Sequence, residues 1–107
     1  MKRGDIFWVN LEPSIGSEIR KSRPCVLVGA TPLNQVRRTI VVVPLSSSPN
    51  ERPPLTVRVT CLGRKVVAVC DQIKAIDKKR LMKPAGRLST VELRILDEAL
   101  KQVLALS

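Results

Sequence analysis

Residues 39–45, TIVVVPL, are the most strand-like segment of this chain, because β-branched residues occupy positions 39 to 43. Residues 23–29, RPCVLVG, form a second apolar run, which suits a central strand. Before it, residues 5–11 alternate between two faces in a way typical of a half-buried strand. Residues 55–61 alternate as well, with Leu, Val, Val and Cys on one face, and residues 65–73 follow as a further strand. These segments predict a mainly β structure.

The C-terminal segment has the period of a helix. Ser89 and Glu92 form an S-x-x-E capping box at its start. Apolar side chains then recur at helical spacing, at Val91, Ile95, Leu96, Ala99, Leu100, Val103 and Leu104. The remaining predicted elements are short: a turn or short helix at 31–35, a helical turn at 77–81 and a short strand at 85–88.

Together these elements predict an α+β, mainly β architecture of five or six short strands followed by a helix, as in a small barrel. A length of 107 residues is typical of one domain, so we expect a single domain over residues 1–107. Residues 46–54, SSSPNERPP, have the composition of a mobile loop. Loops of this length inside small domains are often functional.

The chain is strongly basic. Nineteen Lys and Arg against nine Asp and Glu give a formal charge of +10, which favours a polyanionic partner. The excess lies outside the C-terminal helix, since residues 89–107 hold three carboxylates and two cations. With one Trp and one Phe, the composition does not favour stacking of bases on aromatic platforms.

Cys25, Cys61 and Cys70 lack C-x-x-C spacing, are odd in number and lie in or beside apolar segments, so we expect buried, reduced thiols. With no histidine in the chain, we expect no metal site and no cofactor. No apolar run reaches the roughly 20 residues that a membrane span needs, and the first residues lack a signal-type apolar region. We therefore expect a cytoplasmic protein without membrane contact.

The absence of histidine excludes Ser-His-Asp and Cys-His hydrolases. The chain also has no Walker loop, no G-x-G-x-x-G and no carboxylate cluster suited to Mg²⁺. The polar residues that remain as candidates lie at the ends of predicted strands: Glu18, Arg23, Ser46, Ser47, Asp71 and Gln72.

This set suits one reaction that needs no metal ion. The 2′-hydroxyl of RNA can attack the adjacent phosphorus and expel the 5′-oxygen, provided that a protein orients the groups, moves protons and stabilises the charged phosphorane. An arginine fork, a hydroxyl and a carboxylate can meet those demands. Each residue alone is a weak signal, because arginines and serines at strand ends are commonly solvated or turn-forming.

A set of motifs in a fixed order spans nearly the whole chain. They are Arg3-Gly4-Asp5-Ile6 with Trp8, Gly16-Ser17-Glu18, Arg23-Pro24, Val43-Pro44-Leu45-Ser46-Ser47, Asp71-Gln72-Ile73-Lys74 with Ile76-Asp77-Lys78, and Asp97-Glu98-Ala99-Leu100. In this order they resemble the MazF/PemK family of bacterial toxins. The resemblance implies an SH3-like barrel that forms a homodimer and cuts single-stranded RNA without a metal, leaving a 2′,3′-cyclic phosphate.

The resemblance also implies roles for single residues. Arg23 matches the family's catalytic arginine, and Ser46 stands where a catalytic threonine is usual. Asp71 matches an aspartate proposed as base in PemK-like members, and Glu18 matches a conserved loop glutamate. Arg23 is then expected to stabilise the phosphorane and is a candidate proton donor, and Ser46 is expected to hold the phosphate. Asp71 is the expected general base, with Glu18 as the alternative base or as the residue that orients Arg23.

The expected RNA-binding residues lie around the two loops at 14–22 and 46–54, where contacts to splayed bases would set sequence preference. They are Ser17, Arg20, Lys21, Pro24, Ser47 and Gln72. Further cations are candidates for phosphate contacts: Arg37, Arg38, Arg52, Arg58, Arg64 and Lys65. The resemblance also implies a cognate acidic antitoxin, which the basic surface would attract.

Two other functions fit parts of the sequence. A CcdB-like inhibitor of DNA gyrase would share the barrel, but members of that group carry a Trp near the C-terminus, where this chain ends VLALS. A non-catalytic nucleic-acid-binding barrel is favoured by charge alone. Cleavage of RNA separates both alternatives from a nuclease.

Overall fold

The structure, a computed structural model, describes residues 1–12, 16, 18, 21–48 and 50–107. Its strands are β1 (Asp5–Asn10), β2 (Ser22–Leu27), β3 (Thr39–Ser46), β4 (Thr56–Cys61), β5 (Arg64–Val69), β6 (Lys74–Asp77) and β7 (Leu81–Arg87). Its helices are α1 (Thr31–Val36) and α2 (Thr90–Val103), and 3₁₀ helices lie at Cys70–Gln72 and Lys78–Arg80.

All strand pairs are antiparallel, in the order β4-β5-β3-β2-β1-β7. The long strand β3 also pairs with β6 along its first half, from Thr39 opposite Asp77 to Val42 opposite Lys74. Its last two residues pair with β5 instead, Leu45 with Ala68 and Ser46 with Val67. Because one side of β3 changes partner along its length, the sheet curls into a half-barrel, as the sequence predicts.

Strand alternation sends apolar side chains to both faces of this curled sheet. On one face, Val26, Val43 and Val59 belong to a core cluster that α2 covers with Leu96 and Ala99. On the other face, a second cluster gathers Val9, Leu11, Cys25, Leu27, Ile40, Val42 and Ile76. The central strands β2 and β3 are therefore buried on both sides, which accounts for their continuous apolar character.

Helix α2 begins as its sequence predicts, with the Ser89 hydroxyl accepting from the Glu92 amide at 3.1 Å. The Glu92 carboxylate does not complete the capping box but accepts from the Thr60 hydroxyl at 3.0 Å, which ties α2 to β4. The apolar stripe of α2 extends beyond the buried face of the helix, since Val91 and Ile95 are exposed.

No helix among the described residues combines the length and apolar character needed to cross a membrane.

Four features of the structure differ from the sequence-based expectations. The sequence did not predict strand β6. Among its four residues only Ile76 is buried, and their sequence shows no alternation. Leu55 is half-exposed and lies outside β4, so it does not share the buried face of Val57. Residues 70–72 leave the predicted strand as a 3₁₀ helix, and β7 is longer than the expected strand at 85–88.

The expected mobile loop after β3 makes defined contacts in its described part. The Thr56 hydroxyl accepts from the Arg52 amide at 2.7 Å and donates to the Asn50 carbonyl at 3.2 Å. The Glu51 carboxylate accepts from the Arg58 amide at 2.8 Å. These bonds hold the end of the loop against the start of β4.

Candidate active site

A cavity of about 190 Å³ lies where β2 and β3 meet the β4–β5 hairpin. Its lining comprises Trp8, Ser22, Arg23, Pro24, Leu45, Ser46, Ser47, Cys61, Leu62, Arg64 and Val66. Two arginines and three serines are its polar members, and no carboxylate belongs to this lining. The cavity is therefore suited to an anion.

The register of β2 and β3 explains why Arg23 and Ser46 share the cavity. Cys25 pairs with Pro44 and Val26 with Val43, and continuing this register by two residues places Arg23 opposite Ser46. Ser46 is held on its other side by β5, where it pairs with Val67. The two residues, twenty-three positions apart in the chain, are thus fixed by rigid strands.

Arg23 carries an unused hydrogen-bond donor. Its Nε atom is buried, and no atom of the described residues accepts a hydrogen bond from it. An unsatisfied buried donor costs about 1–3 kcal/mol, more when the group is charged. Such groups in folded proteins call for an explanation, and a bound anion is the partner that a guanidinium fork fits best.

Of the serines beside Arg23, Ser46 is oriented by a hydrogen bond and Ser47 is exposed. The Ser46 hydroxyl accepts from the Ser48 amide at 3.3 Å, which orients it at the end of β3. Ser47 is exposed at the cavity mouth, and Pro24 is half-buried in its wall. Hydroxyl groups so placed can donate to a phosphate oxygen.

Glu18 is not in this lining. Its Oε2 atom lies 3.6 Å from Lys74 Nζ, and both residues border a second cavity of about 450 Å³ with Arg80 and Asp77. Lys74 is opposite Val42 on β3, so it lies on the face of the sheet that also carries Cys25 and Arg23. Glu18 therefore lies on the same side of the sheet as Arg23, but it lines a different cavity.

Asp71 is exposed on the 3₁₀ helix that follows β5, and it lines neither of these two cavities. The neighbouring Gln72 is half-buried. The structure thus brings together Arg23, Pro24, Ser46 and Ser47, and it leaves Asp71 and Glu18 at separate positions around them. Which carboxylate acts as base stays a prediction.

Of the residues expected in the first loop, Ser17 and Arg20 lie outside the described residues. Lys21 is exposed, with a φ of 67° in the left-handed region. A residue other than glycine is uncommon there, and such a conformation is kept only when its surroundings determine it.

Several cavity residues were not among the sequence-based site candidates. Trp8 lies beside Pro24, its partner in the β1–β2 ladder, and Leu62 comes from the turn of the β4–β5 hairpin. Arg64 was expected only as one phosphate contact among many, yet it is the second arginine of the lining. The available signal for Trp8 was that it is the single Trp of the chain and stands in the first of the family motifs.

The three thiols are free and buried, as expected. Burial raises the pKa of Cys25 to about 12, although the nearby Lys74 cation acts in the opposite direction. Burial, with a smaller effect of the Asp71 charge, raises the pKa of Cys70 to about 11. Burial also raises the pKa of Cys61. These shifts make the thiols poor nucleophiles.

Among the described residues, no group of three or more Cys, Asp or Glu side chains is arranged to hold a metal ion. The fold and the site together define a small basic half-barrel with an arginine-lined anion cavity. A family model described as PemK-like, MazF-like toxin of type II toxin-antitoxin system matches residues 2–104. The chain belongs to this family.

Curated relatives cover most of the chain. It is 41% identical over 110 residues to the endoribonuclease MazF9 of Mycobacterium tuberculosis, with 94% of this chain and 93% of the relative aligned. It is 35% identical over 104 residues to the endoribonuclease PemK of Escherichia coli, with 94% and 77% aligned.

Solved structures share the fold. MazF of Deinococcus radiodurans superposes with a TM-score of 0.86 at 21% identity, covering 99% of this chain and 97% of the other. A mycobacterial endoribonuclease in complex with its cognate antitoxin gives a TM-score of 0.84 at 18% identity, covering 100% and 97%. At these identities the likeness concerns the barrel alone, and it agrees with the predicted SH3-like barrel and C-terminal helix.

Proposed function

We propose that this toxin cuts single-stranded messenger RNA at short specific sequences, without a metal ion, and so inhibits translation and growth. The endoribonuclease class itself follows from family membership and from near full-length relatives of that activity. The gyrase-inhibitor and non-catalytic alternatives have no comparable support.

The proposed chemistry is an internal transphosphorylation. A general base takes the proton of the 2′-hydroxyl, whose oxygen attacks the adjacent phosphorus to form a phosphorane. The bond from phosphorus to the 5′-oxygen then breaks, and this oxygen leaves with a proton from a general acid. The products are a 2′,3′-cyclic phosphate and a 5′-hydroxyl, and no outside water or oxidant is consumed.

The observation that supports this proposal most is the buried Nε atom of Arg23, which has no acceptor among the described residues. A phosphate in the cavity would satisfy it, and the guanidinium would stabilise the additional negative charge of the phosphorane. Ser46 would donate to a phosphate oxygen from the opposite strand. Arg64 would add positive charge from the hairpin side.

For the proton transfers, Asp71 is the proposed general base because it matches the aspartate proposed as base in PemK-like members, and its carboxylate is exposed on a short 3₁₀ helix. Glu18, in its ion pair with Lys74, is the alternative base or a residue that orients Arg23. Arg23 is a poor proton donor, since a guanidinium keeps its protons at any physiological pH. We therefore assign Arg23 to charge stabilisation first.

Substrate recognition is proposed to use the loops on both sides of the cavity. Ser17, Arg20, Lys21, Ser47 and Gln72 would contact RNA, and Pro24 would form part of the wall. The formal charge of +10 would attract RNA from a distance and make its binding sensitive to salt.

The proposed partners are a second copy of the chain and an acidic antitoxin, and the proposed location is the cytoplasm. The family consists of toxins of toxin-antitoxin systems, and one solved neighbour is an endoribonuclease bound to its antitoxin. An acidic antitoxin would be attracted to the same basic surface as RNA and would inhibit by covering it.

The test is incubation of the purified protein with defined single-stranded RNAs in EDTA and, in parallel, in Mg²⁺. We expect cleavage at equal rates in both, with 2′,3′-cyclic phosphate ends. Cleavage that requires Mg²⁺, or ends that carry a 5′-phosphate, would refute the proposed chemistry.

A further inference from the structure

The two ends of the chain segment between Glu12 and Lys21 are joined by hydrogen bonds. The Lys21 amide donates to Oε1 of Glu12 at 2.8 Å. The Leu11 amide donates to the Lys21 carbonyl at 3.0 Å. Lys21 is thus held through both of its backbone polar groups, although its side chain is exposed.

This attachment matters because Lys21 is left-handed, with a φ of 67°. Its conformation sets the direction in which the chain enters β2, and the next two residues, Ser22 and Arg23, line the arginine cavity. If Lys21 relaxed to an ordinary φ, the start of β2 would change its direction. The bonds to Lys21 therefore help to fix the position of Arg23.

Arg80 contacts the same part of the chain as Lys21 does. It ends the 3₁₀ helix Lys78–Arg80 and is half-buried. Its Nη1 atom donates to the Asn10 carbonyl at 3.2 Å and also to the Glu12 carbonyl. One guanidinium from a distant part of the chain thus anchors the last residue of β1 and the residue whose carboxylate holds Lys21.

We propose that Arg80 is a positioning residue for RNA cleavage: by anchoring Glu12, and through it Lys21, it fixes the start of β2 and the placement of Arg23. The proposal rests on the proposed function of the arginine cavity. Arg80 itself does not line that cavity, so its proposed role is indirect.

The first test compares Arg80→Met with Lys79→Met, which removes the same charge from an exposed neighbouring side chain. We expect Arg80→Met to lower kcat on the order of 10- to 100-fold, because small displacements of catalytic groups are costly. KM should stay within about twofold of the Lys79→Met value, because both variants lose one positive charge and keep the exposed Lys21 side chain. Lys79→Met should keep the wild-type kcat. Amide hydrogen exchange should become faster at Lys21 in Arg80→Met alone.

The second test uses Glu12, so that the result does not depend on the folding of Arg80→Met. Glu12→Ala removes the acceptor for the Lys21 amide, whereas Glu12→Gln keeps an oxygen there. We expect Glu12→Ala to reduce kcat as Arg80→Met does and Glu12→Gln to stay within about twofold of wild type. The double variant of Arg80→Met and Glu12→Ala should be no slower than the slower single variant, because both act through Lys21.

With a wild-type protein that cuts RNA, three results would overturn the proposal. They are a wild-type kcat in Arg80→Met, a kcat in Lys79→Met as low as in Arg80→Met, and a kcat in Glu12→Gln as low as in Glu12→Ala. A wild-type protein that cuts no RNA would instead refute the proposed function. In that case, unchanged hydrogen exchange at Lys21 in Arg80→Met would independently refute the positioning role.

Discussion

Arg3 and Asp97 join the first residues of the chain to the final helix through two parallel hydrogen bonds. Arg3 Nη1 donates to Asp97 Oδ2 at 3.0 Å, and Nη2 donates to Oδ1 at 2.6 Å. Arg3 Nε also donates to the Val28 carbonyl at 2.9 Å, so the same guanidinium contacts the chain just after β2. This ion pair holds α2 over the core and lies outside the arginine cavity.

Asp97→Asn is expected to lower the free energy of unfolding by about 1–2 kcal/mol, because a bidentate, partly buried pair is stronger than a surface pair. Urea titration at pH 7 measures the change. Glu98→Gln is the matched control: its carboxylate pairs with Lys101 at 3.3 Å on the helix surface, and its removal should cost less than about 0.5 kcal/mol. Equal losses in the two variants would show that the bidentate geometry adds nothing.

Arg23→Ala is expected to lower kcat by about 10²–10³-fold, the usual loss when one donor to a developing negative charge is removed. Arg23→Lys should recover little, since an ammonium cannot replace the fork of the guanidinium. Single-turnover cleavage of a defined RNA measures the effect. Arg94→Ala, an equal change on the exposed side of α2, should leave the rate unchanged. Wild-type rates in Arg23→Ala would remove this residue from the mechanism.

Arg64→Ala is expected to weaken RNA binding and to make it less dependent on salt. Each phosphate contact that is lost reduces the slope of log affinity against log salt by about 0.7 for a single strand. The measurement is a titration of a non-cleavable 2′-deoxy analogue between about 50 and 200 mM salt. Arg94→Ala again serves as control, and an unchanged slope in Arg64→Ala would exclude a phosphate contact at this position.

The buried thiols predict a loss of stability at high pH. Folding raises the pKa of Cys25 from 9.0 to about 12 and that of Cys70 from 9.0 to about 11. Below pH 9 both thiols are protonated in the folded and the unfolded state, so they do not change the free energy of unfolding with pH there. Above pH 9 the unfolded chain releases protons that the folded chain keeps, so each thiol lowers stability by about 1.4 kcal/mol per pH unit until its folded pKa is reached.

Comparing Cys25→Ala with wild type by urea unfolding between pH 8 and pH 11 isolates this contribution. The difference in unfolding free energy between the two proteins should change with pH above 9 and stay constant below it. A constant difference over the whole range would show that the Cys25 thiol titrates normally in the folded protein.

Local patterns in the sequence were sufficient for the strands with strong alternation or continuous β-branched runs, and for α2 with its Ser89 cap. They were not sufficient for β6, whose strand conformation comes from pairing with β3 instead of from its own composition. The same limit applies to the site. Arg23 and Ser46 could be named from motifs, but their common cavity depends on the β2–β3 register. Trp8 joins it through its pairing with Pro24, and Arg64 joins it only through the curl of the sheet.

The network around Arg80 shows the limit most clearly. Nothing in the residues Asp77-Lys78-Lys79-Arg80 indicates a distant partner for any of these cations, and only the fold brings Arg80 to the carbonyls of Asn10 and Glu12. The separate positions of Asp71 and Glu18 were equally invisible, because Asp71 lies on the 3₁₀ helix that follows β5 and Glu18 is paired with Lys74 of β6.

The central claim is that the 2′-hydroxyl of the RNA is the nucleophile and that Arg23 stabilises the resulting phosphorane. The most direct measurement uses an oligoribonucleotide that the wild-type protein cuts at one position, remade with a single 2′-deoxy nucleotide on the 5′ side of that bond. We expect unchanged binding and no cleavage of that bond in EDTA, because the attacking hydroxyl is missing. Cleavage of the deoxy-substituted bond would show that the 2′-hydroxyl is not the nucleophile.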